Sequence, residues 1–374
     1  MKQYDVAAYI WPAYTGDEPR SRIFWPEGMG EWETVREAKP KFPGHQWPRV
    51  PRWGYMNEAD PAVMEMQINQ ATRHGVNVFI YDWYWFDRRP FLENCLDDGF
   101  LKAPNTGKMK FYLMWANHDA NAYWDRRLSS SQSGQTTLWS GRVNRQDFEE
   151  MAIRLVDKYF GIDNYYRIDD KPVFMIYELA NLIQGFGSVE ATADALSWFR
   201  GMVKSKGYPG VHLQLCVRGD RNMNLTGIDG GSVTSYSQTV KTLGADSFTH
   251  YGYFQITNPN GDYETLLGEI RREYEKIDRE YETLYFPHAS IGWDNNPRFS
   301  MEDIHARITT NNGPDAFEKG LRLAKEYADS HELPVPLITL NAWNEWTEAS
   351  YLQPDNLYGY GYLEAVKKVF VDQE

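Results

Sequence analysis

The stretch Val335-Pro336-Leu337-Ile338-Thr339-Leu340-Asn341-Ala342-Trp343-Asn344-Glu345-Trp346-Thr347-Glu348 decides the fold. Its first six residues form an apolar run that reads as a buried strand, and the strand opens into a loop carrying two acids three residues apart. Residues i and i+3 of a regular strand point to opposite faces, so Glu345 and Glu348 converge on one molecule only if the chain turns between them. A strand end supplies that turn. Two carboxyl groups about 5 to 6 Å apart, flanked by Trp343 and Trp346, are what retaining glycoside hydrolysis requires. The plainer alternative is a solvated loop with two surface acids, but acids set between tryptophans at a strand end suit a cleft better than a surface.

Seven earlier runs look like that strand: Tyr4–Tyr9, Val76–Trp83, Lys110–Trp115, Pro172–Tyr177, His212–Val217, Ser247–Tyr253 and Phe286–Trp293. With Val335–Leu340 they make eight, and each interval exceeds the crossover length of a parallel βαβ unit. Helical spacing is clearest from Asp262 to Tyr281, and it recurs over Pro61–His74, Asp147–Phe160, Ala191–Lys206, Pro314–Ser330 and Tyr360–Phe370. Gly75, Gly161 and Gly207 stand where helices should stop. The pattern predicts an α/β fold, a (β/α)8 TIM barrel, spanning 1–374 as a single domain. Long βα loops at 13–57 and 117–145 leave the C-terminal ends of strands, where such a barrel builds its cleft.

The strand ends supply the candidate binding residues. In chain order they are Trp11 and Tyr14; Asp82, Trp83 and Tyr84; Trp115, Asn117, His118 and Asp119; Tyr177 and Glu178; Arg218 and Asp220; Tyr251 and Tyr253; Trp293, Asp294 and Arg298; and Trp343, Asn344 and Trp346 around the paired acids. An aromatic beside a polar group at nearly every exit suits a sugar, whose C–H faces stack on rings while amides and carboxylates take its hydroxyls. Asp82, Glu178 and Asp294 read equally well as structural acids, and Arg298 either clamps substrate or neutralises Asp294.

Composition narrows the class. Thirty-nine Lys and Arg against 52 Asp and Glu give a net charge of −13, which argues against nucleic acid and for a neutral oligo- or polysaccharide partner. No uninterrupted apolar segment is long enough for a membrane span. Cys95 and Cys216 read as two buried free thiols. His118, His250 and His288 form no pair at ligand spacing and there is no HExxH, so neither a metal nor another cofactor is expected. The chain enters a strand at Tyr4 without a charged-then-apolar leader, which predicts a cytoplasmic protein, or a periplasmic or secreted one if a leader has been removed.

The residues that remain carry a family resemblance. Residues 33–51 (ETVREAKPKFPGHQWPRVP), 80–86 (IYDWYWF), Trp115-Ala116-Asn117, Trp293-Asp294-Asn295 with Arg298, and 341–362 (NAWNEWTEASYLQPDNLYGYGY) resemble the glycoside hydrolase family 99-like group, whose WbsX-like members are described as polysaccharide glycosyltransferases. The resemblance implies a (β/α)8 barrel and a retaining, endo-acting α-mannosidase. It implies catalytic acids at Glu345 and Glu348 in an Asn-Glu-Trp-x-Glu-Gly segment, whose last residue is Ala349 here. By that resemblance Glu345 is a base on the sugar 2-hydroxyl, which forms a 1,2-anhydro sugar. Glu348 protonates the leaving oxygen and then activates water. Two other functions stay open: glycosyl transfer in surface-polysaccharide synthesis, against which no Asp-x-Asp motif or glycine-rich cradle is found, and a non-catalytic carbohydrate-binding barrel.

Overall fold

The computed structural model of the protein describes residues 2–125, 127, 136–220, 222–225 and 233–372. Eight parallel strands close on themselves: β1 Asp5–Ile10, β2 Val78–Phe86, β3 Lys110–Trp115, β4 Lys171–Ile176, β5 His212–Cys216, β6 Ser247–Thr249, β7 in two pieces (Leu284–Tyr285 and His288–Ser290), and β8 Leu337–Asn341. Each pairs in parallel with its neighbour in sequence, and β1 pairs with β8. The split in β7 follows from Pro287, which has no N–H to give a ladder. Before it, Phe286 N–H donates to Phe248 of β6 at 3.0 Å; after it, Thr339 N–H of β8 donates to the Pro287 carbonyl at 3.0 Å. The seventh strand thereby serves β6 with its first half and β8 with its second, leaving the sheet no edge.

The helices form because their apolar residues share a face. In Tyr263–Glu280, Tyr263, Leu266, Ile270, Tyr274 and Ile277 are buried at threes and fours, and the Asp262 side chain caps the start by accepting from Glu264 N–H at 2.9 Å. Pro61–Arg73 begins with Asp60 as cap and Pro61 in the first turn, then ends against Gly75 at φ +91°, a conformation that a side chain would oppose. The barrel interior is filled by side chains that find partners across it. Tyr112 donates to Gln214 Oε1 at 2.9 Å, Thr249 and Thr339 meet at 2.9 Å, and His288 lies fully buried between Thr339 and Ser290. Burial pushes the His288 pKa well below its ordinary value, so this ring is a neutral core group. Cys95 and Cys216 are buried free thiols.

The expected strand Ser247–Tyr253 is shorter than the pattern suggests. β6 stops at Thr249, and Tyr253 opens a short helix, Tyr253–Ile256. The loop expected at 13–57 contains the helical turn Pro19–Ile23 and the helix Trp32–Glu37. Within the loop expected at 117–145, residues 126 and 128–135 lie outside the described residues. Among the described residues no helix is long and apolar enough to cross a membrane.

Candidate active site

The C-terminal ends of the strands surround a cleft of about 220 Å³. Its floor is a knot of charge. Arg298, 5% exposed, sends Nη1 to Glu348 Oε1 in a short contact, Nη2 to Glu345 Oε2 at 3.4 Å and Nε to Glu31 Oε1 at 3.1 Å. One guanidinium therefore holds both acids of the 341–348 stretch within its span, with a third carboxylate on its far edge. Glu31 is fixed in turn by Trp11 Nε1 at 2.5 Å and Thr347 Oγ1 at 3.1 Å. The turn needed to bring the acids together is a short helical segment, Trp346–Glu348, closed by Ala349 in the left-handed region at φ +54°, a conformation that favours glycine.

A second chain of hydrogen bonds enters from the barrel axis. The Tyr251 hydroxyl lies 3.0 Å from Glu345 Oε1 and 3.0 Å from Asp82 Oδ2. A phenol has one proton to donate, so both contacts are hydrogen bonds only when one of the two carboxyls is protonated. Burial supplies the cause: it pushes Asp82 well above the usual carboxylate range, and it does the same to Glu345 with help from the neighbouring Glu348 charge, against Arg298. Glu348 is also raised by burial, but its direct contact with Arg298 opposes this more closely. Burial thus favours the protonated form of both acids, and the Arg298 contact favours the carboxylate of Glu348. Among the described residues, Asp82 Oδ1 and Glu348 Oε2 are buried without a hydrogen-bond partner, two acceptors left for a ligand's hydroxyls.

The structure brings some of the expected residues together and leaves others apart. Trp11, Asp82, Tyr84, His118, Tyr177, Glu178, Trp293, Arg298, Glu345 and Glu348 line the cleft, joined by Asp119, Tyr123, Trp124, Tyr251 and Arg218. His118 presents Nδ1 to the Asp119 carbonyl at 3.0 Å and Nε2 to the Tyr84 hydroxyl at 3.3 Å; burial lowers its pKa, so the neutral ring donates from Nδ1 and accepts at Nε2. Glu178 on the opposite wall pairs with Arg218 at 2.7 Å.

The other expected residues do not line the cleft. Trp83 is the out-facing neighbour of Asp82 and donates to Glu93 at 3.0 Å. Trp115 is fully buried against Phe148 of the helix layer. Asn117 joins β3 to β4 through the Glu178 backbone, donating to its carbonyl at 2.8 Å and accepting from its N–H at 2.7 Å. Tyr253 lies behind the cleft, with its ring against Tyr263 and His288. Asp294 is saturated by His45, Trp47 and Asn296, and these donors outweigh the effect of burial and hold it below the usual range. It anchors the 13–57 loop and does not pair with Arg298.

Trp343, Asn344 and Trp346 belong to a buried support that the sequence does not announce. Trp343 Nε1 donates to Gln67 Oε1 at 2.7 Å, and Trp346 Nε1 donates to Gln353 Oε1 at 2.7 Å. Asn344 clasps the Trp11 backbone, accepting from its N–H at 2.8 Å and donating to its carbonyl at 2.9 Å. Gln67, Gln353 and Asn344 all donate to Glu58, the centre of the network, at 3.0, 2.9 and 2.8 Å. Burial without a cation raises Glu58 to about 7. Its folded pKa thus exceeds its unfolded value, so the stability it contributes is fully present below about pH 4.5 and is lost as pH rises through 7, on the order of 3 kcal/mol. Comparing thermal melts of the wild type and Glu58→Gln across pH 4.5 to 8 checks this: the wild type should lose more stability over that interval than the variant does.

Comparison with known proteins gives three findings. The family described as Glycosyltransferase WbsX matches residues 6–366. The uncharacterized protein WxcX of Xanthomonas campestris pv. campestris, in each of two strains, is 27% identical over 353 residues, 94% of this chain and 47% of that protein. The chain thus spans about half the length of the curated relatives it matches. Among solved structures, the GH99 endo-alpha-mannosidase of Bacteroides thetaiotaomicron aligns with 100% of this chain and 98% of its own at TM-score 0.60 and 16% identity. A glycoside hydrolase-like protein aligns with 99% of this chain and 94% of its own at 0.61 and 15%. At these identities the likeness is one of fold.

Proposed function

This chain belongs to the WbsX family, and from that premise we propose that it cleaves glycosidic bonds, as a retaining, endo-acting hydrolase of an α-linked, mannose-like polysaccharide. The observation that carries the reading is the sharing of Arg298 by Glu345 and Glu348 at the floor of an aromatic-walled cleft. Acid–base cleavage of a glycoside needs one carboxyl to give a proton and another to take one. Two carboxyls under one guanidinium favour opposite protonation states, because the second ionisation is opposed by the first. In the proposed sequence Glu345 takes the proton of the sugar 2-hydroxyl, O2 bonds to the anomeric carbon, and the glycosidic C–O bond breaks as Glu348 protonates the leaving oxygen. Water then gives Glu348 a proton and opens the anhydro ring, and Glu345 returns its proton to O2.

Tyr251 favours the ionised base: its single hydroxyl proton, directed at Glu345 Oε1 at 3.0 Å, stabilises the carboxylate, while Asp82, with Oδ2 also at 3.0 Å, donates to the Tyr251 oxygen when protonated. Tyr251→Phe should therefore keep substrate binding and lower kcat about 10²-fold, the low end of general acid–base contributions, with the acid limb of its pH profile moved. A parallel fall in kcat at every pH would assign Tyr251 to support alone. The functional class is tested by incubating the protein with a panel of α-linked polysaccharides and measuring new reducing ends. Their release by the wild type and not by Glu345→Gln is the expected result, while consumption of a nucleotide sugar without hydrolysis would establish the transferase reading in its place.

A further inference from the structure

Beside the cleft, across Trp293, lies a second cavity of about 240 Å³, and Trp293 forms a wall of both. Arg49 lines it. This guanidinium is only 5% exposed, yet among the described residues it has no carboxylate partner. Its hydrogen bonds are long and go to neutral groups, from Nε to the Gln46 carbonyl at 3.3 Å and from Nη1 to the Tyr351 hydroxyl at 3.4 Å. The Trp47 and Tyr351 rings hold its plane, with centroids 5.4 and 5.7 Å from the guanidinium carbon. A buried cation ordinarily carries a directly bonded anion, and leaving it without one is costly. Asp294 also lines this cavity, but its oxygens are taken up by His45, Trp47 and Asn296, while Asp355 accepts from the Tyr351 hydroxyl at 2.7 Å and so reaches Arg49 only through that neutral group. Arg49 is therefore held by ring faces, with donors to spare, in a cavity that adjoins the candidate catalytic floor through Ala349, the residue after Glu348.

We propose that this cavity is a subsite for an acidic sugar, in which Arg49 binds the carboxylate of a uronic-acid residue one or two units from the bond that is cut. The inference rests on the reading of the main cleft as a glycan site. A planar guanidinium matches a carboxylate in a fork of two parallel hydrogen bonds. A single cation facing the ionised Asp294 suits a monoanion and disfavours a phosphate dianion. A chain of net charge −13 repels acidic glycans in general, so admitting one requires a local cation of this kind. Trp293, shared by the two cavities, offers a ring for the sugar that links them.

The test uses the whole protein and simple probes: D-glucuronate, its methyl ester, D-glucose and inorganic phosphate, each titrated by calorimetry. Glucuronate should bind at least tenfold more tightly than the ester or glucose, and Arg49→Met should remove that difference. Arg49→Lys, which keeps the charge and loses the fork, should retain only part of it and serves if the Met variant does not fold. Equal binding of acid and ester by the wild type, or a preference that survives Arg49→Met, overturns the proposal; so does phosphate binding more tightly than glucuronate. A uronic-acid polysaccharide and its carboxyl-reduced form separate this inference from the functional reading. Equal cleavage of both would sink the subsite and leave the hydrolase. Arg49-dependent glucuronate binding with no glycan ever cleaved would do the reverse.

Discussion

Glu345→Gln is expected to abolish turnover on every glycoside, whereas Glu348→Gln should fail only where the leaving group needs help. Gln keeps the shape of each side chain and removes its capacity to exchange a proton. Without a base at 345 the 2-hydroxyl is not activated, whatever the leaving group. Without an acid at 348, an alkyl or sugar oxygen must depart as an alkoxide, at a cost of 10² to 10⁴ in rate by the usual worth of general acid catalysis, while a nitrophenolate departs unaided. A leaving-group series on the two variants and the wild type measures this directly. Rescue of Glu345→Gln by nitrophenolate, with Glu348→Gln inert, would instead assign the acid to Glu345.

Arg298→Met should be the most damaging substitution to the fold itself. It removes the cation from among Glu31, Glu345 and Glu348, all at most 7% exposed. Breaking a buried ion pair from one side costs about 3 to 5 kcal/mol, and here three carboxylates lose the same partner. The sign of the pH dependence follows. Without Arg298 the folded-state pKa values of Glu345 and Glu348, already raised by burial, rise further, so the stability these two groups contribute is present below about pH 4.5, where unfolded Glu is protonated, and is lost at higher pH. Its deficit against the wild type should widen from pH 4.5 to 8. Chemical denaturation at several pH values checks this, and a deficit independent of pH would mean that the carboxylates do not need the guanidinium.

The barrel was legible because each strand is an apolar run long enough to be buried on both faces, and because helical spacing is unmistakable in a segment such as Tyr263–Glu280. Strand limits were less so. Nothing local distinguishes Tyr251, which reaches the acids, from Tyr253, which begins a helix two residues later. Within β2 the period of two separates Asp82 and Tyr84 from Trp83, but the pattern does not say which set faces the mouth when both faces are apolar. The tryptophans of the 341–348 stretch were read as sugar platforms because they flank the acids. Trp343 and Trp346 instead point to Gln67 and Gln353, a role set by residues hundreds of positions away in one case and by a tight turn in the other. Glu31 and Glu58 could not be found at all from sequence, since a lone Glu in a loop carries no pattern until folding brings Arg298 or Asn344 to it.

The most direct test of the anhydro-sugar account is proton NMR of the first-formed product from an aryl α-mannoside, followed alongside its 2-deoxy counterpart. The account predicts α-configured sugar from the mannoside and no turnover of the 2-deoxy compound, because Glu345 would have no 2-hydroxyl to activate. An inverted first product, or efficient cleavage of the 2-deoxy glycoside, would contradict the anhydro-sugar route while leaving a two-carboxylate hydrolase possible.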